Sequence, residues 1–105
     1  LLDKGAEINL QSKFYGSALQ AACAGGCERV VRLLLERGAE VNVEGRPFGN
    51  ALQAASEMGH ADIVNLLIEN GAGVNVQGGT YGNALQAASS EGYLEIVRVL
   101  LENDA

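Results

Sequence analysis

Cys23 and Cys27, four residues apart around Gly25-Gly26, are the chain's only thiols, and His60 is its only imidazole. Three kinds of chemistry could follow: zinc ligation, a disulfide, or nucleophilic attack. A zinc site takes about four nitrogen or sulfur ligands, and His60 stands 33 residues beyond Cys27. A catalytic cysteine needs a base beside it, and Cys23 has no His partner in its own stretch of chain. A disulfide across the tight turn is geometrically conceivable, but secreted disulfide scaffolds are usually smaller and richer in Cys. The plainer reading makes both cysteines small buried thiols at helix-packing positions. There is also no Gly-x-x-x-x-Gly-Lys phosphate loop. The residues therefore predict no enzyme, no metal and no cofactor.

Aromatic chemistry is more regular. Tyr15, Phe48 and Tyr81 fall 33 residues apart, each opening one phrase: Tyr15-Gly16-Ser17-Ala18-Leu19-Gln20-Ala21-Ala22, Phe48-Gly49-Asn50-Ala51-Leu52-Gln53-Ala54-Ala55 and Tyr81-Gly82-Asn83-Ala84-Leu85-Gln86-Ala87-Ala88. Such a column is either an exposed ladder of rings offering hot-spot contacts to a peptide or a set of fillers for a hinge repeated in each copy. A second phrase keeps the same interval at Leu1-Leu2-Asp3-Lys4-Gly5-Ala6, Leu34-Leu35-Glu36-Arg37-Gly38-Ala39, Leu67-Ile68-Glu69-Asn70-Gly71-Ala72 and Leu100-Leu101-Glu102-Asn103-Asp104-Ala105. Two motifs in phase at one period indicate a stacked repeat array, whose function lies on a surface shared between repeats.

The elements that position these residues can be read from the unit 45–77. Gly45-Arg46-Pro47-Phe48-Gly49 suits a tight turn. Asn50 stands at a helix N-cap with Gln53 three positions on, an arrangement repeated by Ser17/Gln20 and Asn83/Gln86 that predicts a reciprocal capping box. A short Ala-rich helix then runs to Gly59. A second helix is predicted near Ala61 to Glu69, with Ile63, Val64, Leu66 and Leu67 on its apolar side and Asp62, Asn65 and Glu69 opposite. Gly71 closes it, as Gly38 does one unit earlier. Val74-Asn75-Val76 alternates and is β-branched, which predicts a short extended finger.

Composition agrees with thin layers. The 105 residues are 48% hydrophobic with no Trp and one Pro, and much of the apolar content is Ala, Leu and Val, so helices can approach closely. A net charge of −6 opposes binding to phosphate backbones and anionic membranes, which excludes nucleic acid and membrane surfaces as partners. No apolar run approaches the roughly 20 residues of a spanning helix. The chain is expected to begin inside a second helix at Leu1 and to stop before a last finger at Ala105. On that reading it is a piece of a longer array with apolar ends that stack end to end.

These residues resemble ankyrin repeats, whose pattern runs Gly-x-Thr-Pro-Leu-His-x-Ala-Ala, Gly-His, Val-Val-x-x-Leu-Leu and Gly-Ala-x-Val-Asn. In the middle unit the match falls on Leu52, Ala54-Ala55, Gly59-His60, Ile63-Val64, Leu66-Leu67, Gly71-Ala72 and Val74-Asn75. The resemblance covers the end of one repeat (1–11), two full repeats (12–44 and 45–77) and a truncated one (78–105). It implies an all-α repeat solenoid of helix-turn-helix units with short extended fingers. The chain departs from the pattern where Ser17-Ala18-Leu19-Gln20, Asn50-Ala51-Leu52-Gln53 and Asn83-Ala84-Leu85-Gln86 replace Thr-Pro-Leu-His. Asp104 also stands where Gly is expected. The aromatic-Gly-Asn-Ala-Leu-Gln-Ala-Ala variant is similar to ankyrin arrays of filamentous fungi, often the C-terminal part of large intracellular proteins, some with a nucleotide-binding signalling domain.

The resemblance implies a protein partner on a concave face made by fingers and first helices, in a cytoplasmic setting. Carried over by position, that face comprises Lys13, Phe14, Arg46, Pro47, Gly79 and Thr80 on the fingers. Ala24, Gly25, Glu57, Met58, Ser90 and Glu91 stand near the first-helix ends. The three copies disagree at these positions, as a surface freed from the frame would. The alternative function is a structural spacer or regulatory segment of a larger protein. Glu28, Arg29, Arg32, Glu36, Glu95, Arg98 and Glu102 are read as a solvated outer face, and Asn42 and Asn75 as backbone-bonding residues.

Overall fold

Asn50 and Asn83 are extended residues whose side chains accept the main-chain N–H of Gln53 (2.9 Å) and Gln86 (2.8 Å), and each starts a helix. The computed structural model describes residues 17–45, 49–79 and 81–105. Its helices are α1 (residues 17–25), α2 (Glu28–Glu36), α3 (Ala51–Met58), α4 (Ala61–Glu69), α5 (Ala84–Glu91) and α6 (Leu94–Glu102). Residue 17 is already helical, and any cap before it lies outside the described residues.

Each short first helix ends on a glycine in the left-handed region, Gly59 (φ 83°) after α3 and Gly92 (φ 78°) after α5. The next N–H then reaches back five residues, His60 to Ala55 O and Tyr93 to Ala88 O, both 2.9 Å. This pattern reverses the chain within two residues and drops it into the second helix. Second helices close in the same way through Ala39 N to Leu34 O, Ala72 N to Leu67 O and Ala105 N to Leu100 O, each 3.0 Å. Asp104 keeps the turn there with φ 72°, the one non-glycine residue at positive φ among those described. The substitution therefore leaves the register intact through Ala105.

Helix α3 packs on α4 and α5, α5 on α6, α4 on α6, and α2 on α4, giving an all-α repeat solenoid of two helical layers. The molecule is elongated, 43 × 23 × 23 Å. Ala51, Ala54, Ala55, Ala84 and Ala88 are buried where the first helices meet, with Leu19 and Leu52 between them. Ile63, Val64, Leu66 and Leu67 are buried, whereas Asp62, Asn65 and Glu69 are exposed, as the apolar stripe predicts.

The short fingers are closed by isolated bridges: residues 74 and 75 lie in a turn, and the described pairing is confined to Gly45–Gly49 and Gly78–Gly82. These glycines pinch the loop at its base, with Gly45 N to Gly49 O at 2.7 Å and Gly78 N to Gly82 O at 2.6 Å. One expectation needs correction: the two thiols are not both buried. Cys23 is fully covered, but Cys27 begins the second helix on the exposed side of the turn, and both are free.

Candidate functional site

The glutamine of each repeat does not complete a capping box. Gln53 Nε2 instead donates to the carbonyls of Val76 (3.2 Å), Gly78 (2.8 Å) and Gly82 (3.2 Å), and Gln20 Nε2 donates to Val43 O at 2.7 Å. Position 53 corresponds to 20, and 76 to 43, so one side chain per repeat gathers the finger that leads into the next repeat. Its other atom, Gln53 Oε1, faces the side of Gly49 where a Cβ would stand. Gln86 Oε1 stands in the same way to Gly82, and any larger residue at 49 or 82 would collide with it. Both glycines also hold positive φ, 96° and 100°. The displaced turn glycine and the glutamine thus form one arrangement.

Asn42 makes a second tie. Its Nδ2 donates to Gly71 O (3.1 Å) and its Oδ1 accepts Gly73 N–H (2.9 Å). Asn75 repeats the first bond, to Asp104 O at 3.2 Å. A third column runs through the helix junctions. His60 Nε2 lies 3.2 Å from Ala24 O, so that nitrogen carries the proton and donates. The ring covers Gly26, where a Cβ would come within 2.6 Å of it, and Tyr93 covers Gly59 in the same way at 2.8 Å. Sequence inspection missed the Gln and ring columns. Their signal was the 33-residue recurrence of Gln20/Gln53/Gln86 and of Cys27/His60/Tyr93.

On this frame the first-helix ends share one side. Met58 (46% exposed) and half-buried Glu57 finish α3, and exposed Ser90 and Glu91 finish α5. Half-buried Ala24 and exposed Gly25 finish α1, and Gly79 is exposed on the finger before α5. Tyr81 is half-buried, and its hydroxyl donates to Glu91 Oε2 at 2.8 Å. That bond, then the carboxylate's charge, raises the phenol's pKa above its ordinary 10.0. Glu57 adds to the rise from the neighbouring helix, and the Ser90 hydroxyl opposes it. The structure therefore brings Tyr81, Ser90 and Glu91 together, with Glu57 within electrostatic reach. Lys13, Phe14, Tyr15, Arg46, Pro47, Phe48 and Thr80 lie outside the described residues.

The second helices carry the outer charges. Glu28 pairs with Arg32 at 2.8 Å and Glu95 with Arg98 at 3.0 Å, all well exposed and of small energetic consequence. Burial pushes the Cys23 thiol up to about 12, which leaves it protonated and poorly nucleophilic. Among the described residues no group of three or more His, Cys, Asp or Glu is placed to hold a metal ion. No described helix is long and apolar enough to cross a membrane.

A comparison with curated proteins found no match. The family model for ankyrin repeats (3 copies) matches residues 1–78 and 49–105. Proteins built of these repeats are generally protein–protein interaction modules and typically are not enzymes. The two matched spans together take in the whole chain, and with helix pairs recurring every 33 residues they establish that it belongs to the ankyrin repeat family.

Proposed function

We propose that this chain is a non-enzymatic docking module that holds a protein segment on the concave face formed by its fingers and first helices. The supporting observation is the contact of Tyr81 with Glu91 at the end of α5, with Ser90 beside it and Glu57 within electrostatic reach, on a frame whose own bonds use other residues. By sequence position alone, the proposed face also takes in Lys13, Phe14, Arg46, Pro47, Gly79 and Thr80 on the fingers, and Tyr15 and Phe48 as counterparts of Tyr81. Repeats bounded at 12–44, 45–77 and 78–105, after the end of another at 1–11, would each contribute one finger. The two free thiols suit a reducing compartment, and we place the module in the cytoplasm. Affinity capture, with the intact chain beside a Glu57→Lys, Met58→Glu, Glu91→Lys variant, tests the reading. Partners lost only with the altered face support it, and identical catches contradict it.

A second reading, a spacer or regulatory segment of a larger multidomain protein, is favoured by one observation. The side of α5 and α6 away from α3 and α4 is uncovered. Leu101 is 55% exposed, Leu85 is half-buried where Leu52 is buried, and Gln86 is exposed where Gln53 is 3% exposed. That side fits end-to-end stacking of copies through the faces used inside the array. Sedimentation that shows concentration-dependent association, abolished by Leu101→Glu, supports stacking, and a strict monomer at all concentrations rules it out.

A further inference from the structure

We propose that the segment held at the ends of α3 and α5 is cationic, presenting a lysine or arginine beside an apolar side chain; this rests on the docking reading above. Among the described residues cationic charge is confined to the second-helix layer, which also carries Glu28, Glu36, Asp62, Glu69, Glu95 and Glu102. The described charged residues of the first helices and fingers are Glu40, Glu44, Glu57 and Glu91, all acidic. The described arginines, Arg29, Arg32, Arg37 and Arg98, stand on the second helices or, for Arg37, at the end of one. Arg32 and Arg98 are already paired there with Glu28 and Glu95. Lys13 and Arg46, on the first two fingers, lie outside the described residues; at the ends of α3 and α5 and along the third finger the described charges are Glu57 and Glu91 alone.

Three features of that stretch match one ligand chemistry. Tyr81 holds Glu91 through Oε2 only, and the carboxylate's other oxygen is a fixed acceptor for a guanidinium or ammonium. Tyr81 is half-buried beside that carboxylate, and an aromatic ring at this place suits the same cation. Met58, at the position of Glu91 one repeat earlier, is an exposed thioether that accepts an aliphatic stem or an apolar neighbour. The rise in the Tyr81 pKa reports the same concentration of negative charge from Glu91 and Glu57. A phosphorylated or acidic segment would meet repulsion at Glu57 and Glu91.

The test is a random dodecapeptide library panned on the full chain under reducing conditions, with affinities of the selected peptides measured by fluorescence anisotropy. The titrated proteins are the chain itself, Glu57→Gln/Glu91→Gln and Met58→Asp. Selected peptides should share Lys or Arg next to an apolar residue, weaken about tenfold per carboxylate removed, and weaken further as salt rises. Neutral or acidic peptides that ignore Glu57→Gln/Glu91→Gln but are lost with Met58→Asp overturn the cation preference and leave the docking face standing. Peptides indifferent to all these substitutions, or no selected peptide at all, overturn both.

Discussion

Gln53 ties three main-chain carbonyls with one amide, whereas Gln86, the same residue one repeat later, is exposed and its Nε2 has no such set of carbonyls. The chain thus contains its own control. Gln53→Ala strands three part-buried carbonyls and should lower unfolding stability by about 2 kcal/mol, whereas Gln86→Ala should stay within about 0.5 kcal/mol; urea unfolding of both variants decides. Asp104 holds a left-handed conformation at a position where Gly38 and Gly71 serve earlier repeats. Asp104→Gly should therefore raise stability by about 1 kcal/mol, seen as a higher melting midpoint. The asparagine caps were legible in the sequence because the N–H that each side chain accepts lies three residues away. The role of Gln53 was not, because its partners stand 23 to 29 residues along the chain.

At the scale of elements, the helix bounds followed from local signals: a cap before Ala51 and Ala84, a left-handed glycine after Met58 and Glu91, and an apolar stripe on α4. The bridges that close the fingers did not, because no local signal marks Gly45–Gly49 or Gly78–Gly82 as a pair. The side of the turn that Cys27 faces was equally hidden, since it depends on where the next repeat's ring sits. The contact between finger and first helix at Tyr81 carries a pH signature. The phenol is neutral in folded and unfolded chains below its ordinary 10.0. Its bond to Glu91 contributes there and is lost as pH rises through the elevated folded value. Ring resonances of Tyr81 should titrate above 10.0 in the native chain, and Glu91→Gln should move the midpoint back toward 10.0. An unchanged midpoint would show that the bond does not form in solution.

Across the whole molecule, each repeat leans on the next through three columns, Gln20/Gln53, Asn42/Asn75 and His60/Tyr93, so stability should spread along the stack rather than reside in one core. The thiols report on this directly. Cys27 should react with iodoacetamide in the native chain, while Cys23, buried and protonated, should react only as the stack opens, a difference read by mass spectrometry after timed labelling. The repeat architecture was visible in the 33-residue interval alone. The placement of Glu57, Tyr81 and Glu91 against each other was not, because it depends on how α3 lies beside α5. The most direct test of the docking account is a nitrogen-15 NMR titration of the chain with a peptide selected on it. The account predicts shifts confined to the concave side, at Glu57, Met58, Gly79, Tyr81, Ser90 and Glu91. Shifts centred instead on the outer helices, at Arg29, Arg32, Glu95 and Arg98, would contradict it.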